Sequence, residues 1–241
     1  MTNPESMRLN RFLARSGRGA RRSVEEAVRG GLVTINGMLV KNPGVIVKPG
    51  DVVRWDSERV SIPLPFAAVM NKPVGVETTM KAGEGRTVRD LAEGMPSGVS
   101  PVGRLDVRTG GLLLWSNDGD LTYRLTHPKW GVEREYLLIL HTPAGPGELD
   151  RIRRGSYIAP GQFSKPASVV KTGGNNRLRL VLTTGRNREV RRLCAVCGLN
   201  LAGLERVGYG PVQLRDLPRG AWRPLNPGET EALYGVVGLK P

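Results

Sequence analysis

The sequence predicts an α+β fold in two modules, on three observations. Strand-like and helix-like stretches mix along the 241 residues without the regular alternation of a parallel α/β protein, so the sheet is expected to be largely antiparallel. The segment Ser57–Pro65, SERVSIPLP, carries two prolines and no periodicity, and reads as a linker between segments with their own apolar patterns. Hydrophobic residues make up 39% of the chain and charged residues 24%, a balance that favours packed cores over global disorder.

The expected modules are residues 1–62 and 66–241. In the first, Leu9, Phe12 and Leu13 recur at helical spacing from Arg8 to Arg15, while Arg8, Arg11, Arg15 and Arg18 follow a second helical face. Ser23 and Glu26 have capping-box spacing and open a second helix to Arg29, stopped by Gly30-Gly31. LVTINGMLV gives two short strands about the tight turn Asn36-Gly37, and residues 45–55 add strand. Arg21 and Arg22 join the other arginines on the helices, whereas Asp51, Asp56 and Glu58 lie in the strand region. That segregation suits a surface that tracks phosphates.

The second module opens with a strand at 66–70 and a turn at NKPVG, 71–75. Further strands are expected at 111–115, 135–140, 178–183 and 203–207. Helices are expected at 88–92, 121–125, 148–154, 189–197 and 229–236.

Lys and Arg total 36 against 22 acids, a net charge of +14. The isoelectric point near 10.5 is the footprint of a nucleic-acid partner. No segment approaches the length of an apolar membrane span, so no membrane partner is expected. Cys194 and Cys197 form a C-x-x-C, but the only histidines, His127 and His141, lie far upstream without ligand spacing. The pair is expected to pack as small apolar residues, with no metal and no redox role, in a reducing cytoplasm.

Three stretches carry chemistry. In GRLDVRTGGLLLWSNDG, residues 103–119, Asp106 lies in a loop with Arg104, Arg108, Thr109, Gly110 and Gly111, ahead of a buried apolar run. An acid so placed is oriented and partly desolvated, the setting of a nucleophile. In TGRNREVRRL, residues 184–193, Arg186, Arg188, Arg191 and Arg192 cluster at a helix start, where they oppose the macrodipole. Anion binding or a buried ion pair explains them, and Arg191 is within reach of Asp106 across a cleft. Third, Tyr136 follows Glu133-Arg134-Glu135 at the head of a strand, a position that also suits a core aromatic.

These stretches resemble the pseudouridine synthases of the RsuA-type branch, which modify ribosomal RNA. The resemblance rests on NKPVG at 71–75, GRLDVRTGGLLLWSNDG at 103–119, EREYLLIL at 133–140, GRNREVRRL at 185–193 and GPVQLRDLPRGAWRPL at 210–225. GRNREVRRL and EREY are similar to members that act on large-subunit RNA. Arg8 to Trp55 resembles the alpha-L RNA-binding fold, through RLNRFL and GLVTING. The resemblance implies a small N-terminal alpha-L RNA-binding domain and a pseudouridine synthase domain with a mainly antiparallel mixed sheet. It also implies action on ribosomal RNA, free or in a pre-ribosomal particle, without cofactor or metal, and a monomer is the default expectation.

By residue, the resemblance implies that Asp106 is the catalytic aspartate, Tyr136 the tyrosine against the target base, and Arg191 the arginine paired with the aspartate. It implies that Arg104 fills the stack the base has left, and that Lys72-Pro73 supports the catalytic loop. Lys72, Arg186 and Arg188 join Arg8, Arg11, Arg15, Arg18, Arg21 and Arg22 as expected RNA contacts. Thr184 departs from a commonly acidic position, and Trp115 is bulky for its strand. The alternative from the residues alone is a non-catalytic ribosomal-RNA assembly factor. Against it, an acid kept in a positive cleft repels phosphate and gives a pure binder nothing.

Overall fold

A computed structural model describes residues 6–81 and 84–241. The chain forms two compact units, one holding the chain up to Phe66 with Met95–Ser100 and Asn117–Gly119, the other holding the remainder. In the smaller unit, helices Leu9–Arg15 and Arg21–Arg29 bury Leu9, Phe12, Leu13, Val24 and Val28. These pack with Val33, Ile35 and Val53 of a small antiparallel sheet. The turn at Asn36-Gly37 is tight, with φ of 52° and 83°, the left-handed pair that a two-residue hairpin requires.

Two local expectations in this unit need correction. The second helix begins at Arg21 with Ala20 at its N-cap, and the Ser23 hydroxyl donates back to the Ala20 carbonyl at 2.8 Å instead of opening the helix. Ser57–Pro65 is not all linker, because Glu58–Val60 pairs with Val53–Trp55. The hairpin turn between them places Asp56 and Ser57 at positive φ without a glycine, which hid it in the sequence.

The larger unit is built on one mixed sheet. Among the described residues, seven strands run in the order Ser168–Lys171, Arg177–Leu182, Arg134–Leu140, Leu201–Tyr209, Gly110–Ser116, Ala67–Lys72 and Trp222–Pro224. Along this path only Leu201–Tyr209 against Gly110–Ser116 is parallel, so the sheet is antiparallel in the main, as expected. Helices Glu189–Cys197 and Pro146–Arg154 cover one apolar cluster, which includes Leu138, Leu180 and Leu193. Helices Gly119–Thr126 and Pro227–Gly235 cover a second, around Leu112, Leu114 and Tyr209.

NKPVG is not wholly a turn, since the first strand runs through Lys72. Trp115 lies opposite Ala68 in the sheet register, and the small partner makes room for its ring. Cys194 and Cys197 are buried in the first cluster as small apolar residues. Burial pushes the Cys194 thiol up to about 12, far from thiolate reactivity. Among the described residues no helix is long and apolar enough to cross a membrane.

Candidate active site

The loop that carries Asp106 is held from beneath by the segment after the first strand. The Thr78 hydroxyl donates to the Leu105 carbonyl at 2.7 Å and accepts from the Leu105 amide at 3.2 Å. The Gly75 amide donates to Val107 O at 2.8 Å. Lys72 is fully buried, and its ammonium donates to the Val76 carbonyl at 2.7 Å and the Pro73 carbonyl at 2.9 Å. Residues on both sides of Asp106 are thereby tied to one rigid segment. Lys72 cannot reach a phosphate from 0% exposure, which corrects its place among the RNA contacts. Burial pulls its ammonium down to about 8, and the charge of Asp106 opposes that shift.

Asp106, Tyr136 and Arg191 line one cavity of about 350 Å³, with Arg104, Arg186 and Arg188 also on its wall. A volume at the low end of ligand pockets admits a single base and no helix. Tyr136, 9% exposed, faces this space from the Arg134–Leu140 strand. A register shift between Glu135 and Tyr136 sits beside it, a place where bulges commonly re-aim a side chain.

Arg191 sits in the first turn of its helix and spans from the cavity to a neighbouring cleft shared with Asp106, Arg108 and Arg188. Its guanidinium donates to the Arg108 carbonyl at 2.5 Å and, at 3.4 Å, to the Thr109 hydroxyl. Among the described residues no cation lies within ion-pair distance, 4.0 Å, of the Asp106 carboxylate. The arginine therefore braces the loop that carries the acid and acts on it through the field. Burial lowers the Arg191 pKa, Asp106 opposes this, and the like charges of Arg188 and Arg108 add to it.

The floor of the cavity holds two further charged groups, Arg134 and Arg206. Arg134 and Arg206 each place a guanidinium carbon 4.8 Å from the Tyr209 ring centroid. Arg134 donates to the carbonyls of Val132 and Leu125 and to the Tyr209 hydroxyl, which itself donates to Leu125 at 2.8 Å. Arg206 donates through Nε to Leu112 O at 2.8 Å, and one of its buried terminal nitrogens has no partner. Arg134 had a readable signal, because it lies two residues before Tyr136 on the buried face of an alternating strand. Arg206 had none.

Glu189 is the other buried charge at the site, 4% exposed at the start of its helix. It accepts from the Ser164 hydroxyl at 2.8 Å, the Thr184 hydroxyl at 2.6 Å and the Arg186 amide at 2.9 Å. Thr184, where an acid was the common residue, thus serves as a donor to this carboxylate. The backbone of the arginine-rich turn is fixed, with Arg188 held at φ 50°.

In the smaller unit, Arg8, Arg21 and Arg22 are exposed, and Arg11 and Arg15 are half-buried. Arg18 lies in the loop between the two helices, not on a helical face as expected, and forms an ion pair with Glu58 at 2.8 Å.

Comparison with known proteins bears on both units. Residues 67–196 match the family model of RNA pseudouridylate synthase, and residues 7–53 match the S4 domain. The chain is 35% identical over 240 residues to an Aquifex aeolicus (strain VF5) protein named "Uncharacterized RNA pseudouridine synthase", across 97% of this chain and 96% of that one. It is 37% identical over 247 residues to "Ribosomal large subunit pseudouridine synthase B" of Escherichia coli (strain K12), across 98% of this chain and 85% of that one. A solved structure described as "Crystal structure of pseudouridylate synthase" superposes with a TM-score of 0.68 at 29% identity, over 94% of this chain and 99% of that one.

Proposed function

The chain belongs to the RNA pseudouridylate synthase family, and on that footing we propose that it isomerises one specific uridine of ribosomal RNA, in the large subunit, to pseudouridine. The observation that carries the reading is the convergence of Asp106, Tyr136 and Arg191 on one base-sized cavity. A base inside a helix cannot enter such a space, so the target nucleotide must leave its stack, at a cost of a few kcal/mol. Packing against the Tyr136 ring offsets part of that cost. Arg104, exposed at the cavity rim, occupies the gap left behind.

Asp106 is then the nucleophile, attacking the ribose or the base. The bond from ribose C1′ to uracil N1 breaks, the base turns, and C1′ joins C5. The proton leaves C5 and N1 gains one. Substrate and product are isomers, so no oxidant, reductant or group donor enters the balance. Arg191 keeps the loop seated and supplies positive potential beside the carboxylate. The arginines of residues 1–62 hold the RNA by its phosphates, and residues 66–241 perform the chemistry. The protein works as a cytoplasmic monomer on free or partly assembled ribosomal RNA.

Asp106→Asn tests this reading. The variant is expected to fold and bind large-subunit RNA but release no tritium from uridine labelled at C5. Wild-type release by the variant would remove Asp106 as nucleophile. A wild-type protein that modifies no ribosomal RNA would reject the substrate.

A further inference from the structure

Helix Gly119–Thr126 has two dissimilar sides at its C-terminal end. One side serves the cavity: Thr126 lines it, and the Leu125 carbonyl receives Arg134 and the Tyr209 hydroxyl. The other carries an aromatic cluster outside the cavity. Tyr123 lies edge-on to Trp130, with ring centroids 5.5 Å apart, and His127 sits 5.2 Å from Tyr123 and 5.6 Å from Trp130. Trp130 has an ordinary structural role, since it packs against the second apolar cluster. Tyr123 is 56% exposed, with its ring edge-on to Trp130.

The cluster is rigid and positive. The Lys129 ammonium and the Arg124 guanidinium each lie 5.6 Å from the Trp130 ring centroid. Arg124 is anchored on the carbonyls of Val237 and Gly238, and the His127 ring accepts the Lys129 amide at 3.2 Å. Exposed rings held beside cations, preformed so that little side-chain entropy is lost on contact, match unpaired nucleotides: bases stack on rings and phosphates meet ammonium groups.

We propose that Tyr123, His127 and Trp130, with Lys129, form a stacking platform for unpaired nucleotides of the substrate RNA that flank the flipped uridine. This rests on the RNA substrate proposed above. It adds a second contact within one helical turn of Thr126 at the cavity wall.

The test uses the full-length protein and two probes, a fluorescent single-stranded oligoadenylate and a large-subunit RNA transcript. Tyr123→Ala is expected to weaken oligoadenylate binding about tenfold, the worth of one base–aromatic stack. Tyr123→Phe keeps the ring and should bind like the wild type. Lys129→Ala should flatten the salt dependence by about 0.7 log units per log salt, while Tyr123→Ala leaves that slope alone. On the transcript, Tyr123→Ala should raise KM by a similar factor with kcat held. Unchanged oligoadenylate affinity and unchanged KM in Tyr123→Ala would overturn the platform. A wild type that modifies no transcript would overturn the proposed reaction instead, and the oligoadenylate measurement would still decide the platform.

Discussion

Gly111 approaches Arg206 so closely that a Cβ at Gly111 would lie 2.2 Å from the Arg206 carbonyl oxygen and 2.8 Å from its amide nitrogen. The contact is the parallel junction of the sheet, where Gly111 pairs with Arg206 and Gly110 with Glu205. It joins the strand leaving the Asp106 loop to the strand that supplies the cavity floor. Gly111 also holds φ at +95°. Two independent constraints therefore demand glycine here.

Gly75 supplies the control. Its φ is +89°, yet a Cβ there would meet nothing within 4 Å. Gly75→Ala should cost about 1–2 kcal/mol through the backbone alone. Gly111→Ala should cost roughly 2 kcal/mol more, because the added methyl forces the strands apart. Urea unfolding of the pair measures the difference. Equal losses would show that the strand junction yields freely.

Arg191→Ala should separate chemistry from stability. The arginine bonds the loop backbone at Arg108 and lies outside ion-pair distance of Asp106. Breaking a buried ion pair would cost about 3–5 kcal/mol. Losing this brace should cost about 1.5–3 kcal/mol, as for a hydrogen bond to a charged group. Turnover should fall about 100-fold or more, as when a preorganised electrostatic contact is removed. Single-turnover kinetics and urea unfolding on the same samples check both. A stability loss as large as that of a buried pair would mean that Arg191 and Asp106 are joined in solution.

How much of this was legible follows from where each group's environment originates. Asp106 and Arg191 sit in local patterns, a glycine-flanked loop and an arginine-rich helix start, that point to chemistry by themselves, whereas the strand head of Tyr136 suits a core aromatic equally and only the family resemblance marks it. The burial of Lys72 depends on a chain reversal that brings the Pro73 and Val76 carbonyls onto its ammonium, and NKPVG read only as a turn. Arg206 is buried by Leu112 and Tyr209, one of them 94 residues away, and no periodicity reports such a contact. The hairpin Ser156–Ala159 with Gln162–Ser164 escaped because its strands are too short to show alternation. Trp222–Pro224 escaped because it contains a proline, which an edge strand tolerates.

Lys72 sets a stability signature at alkaline pH. Its ordinary pKa is 10.5, and burial brings it to about 8 in the folded protein. Between these values the folded protein has released the proton while the unfolded chain still holds it. The unfolded state then binds more protons, so stability rises with pH across this window. Below about 8 both states are protonated and the penalty for the buried charge is constant. Lys72→Met removes the titration and leaves every other group in place. The stability of wild type relative to Lys72→Met should climb from pH 8 to 10.5 in urea unfolding. A flat difference would show that the ammonium is not held in a dry site.

The arginines of the smaller unit should contribute unequally to RNA binding, and the inequality follows from one ion pair. Arg21 and Arg22 are exposed at the start of their helix, and among the described residues their guanidinium groups have no hydrogen-bond or ion-pair partner. Arg18 is already neutralised by Glu58 at 2.8 Å. A guanidinium that must leave a carboxylate to reach a phosphate exchanges one partner for another and gains less. Arg21→Ala and Arg22→Ala should each flatten the dependence of RNA affinity on salt by about 0.7–0.9 log units per log salt. Arg18→Ala should change that slope by less than either. Glu58→Gln frees Arg18, and in that background Arg18→Ala should recover the full effect. Equal slope changes for all three arginines in the wild-type background would show that the Glu58 pair opens at no cost when RNA binds.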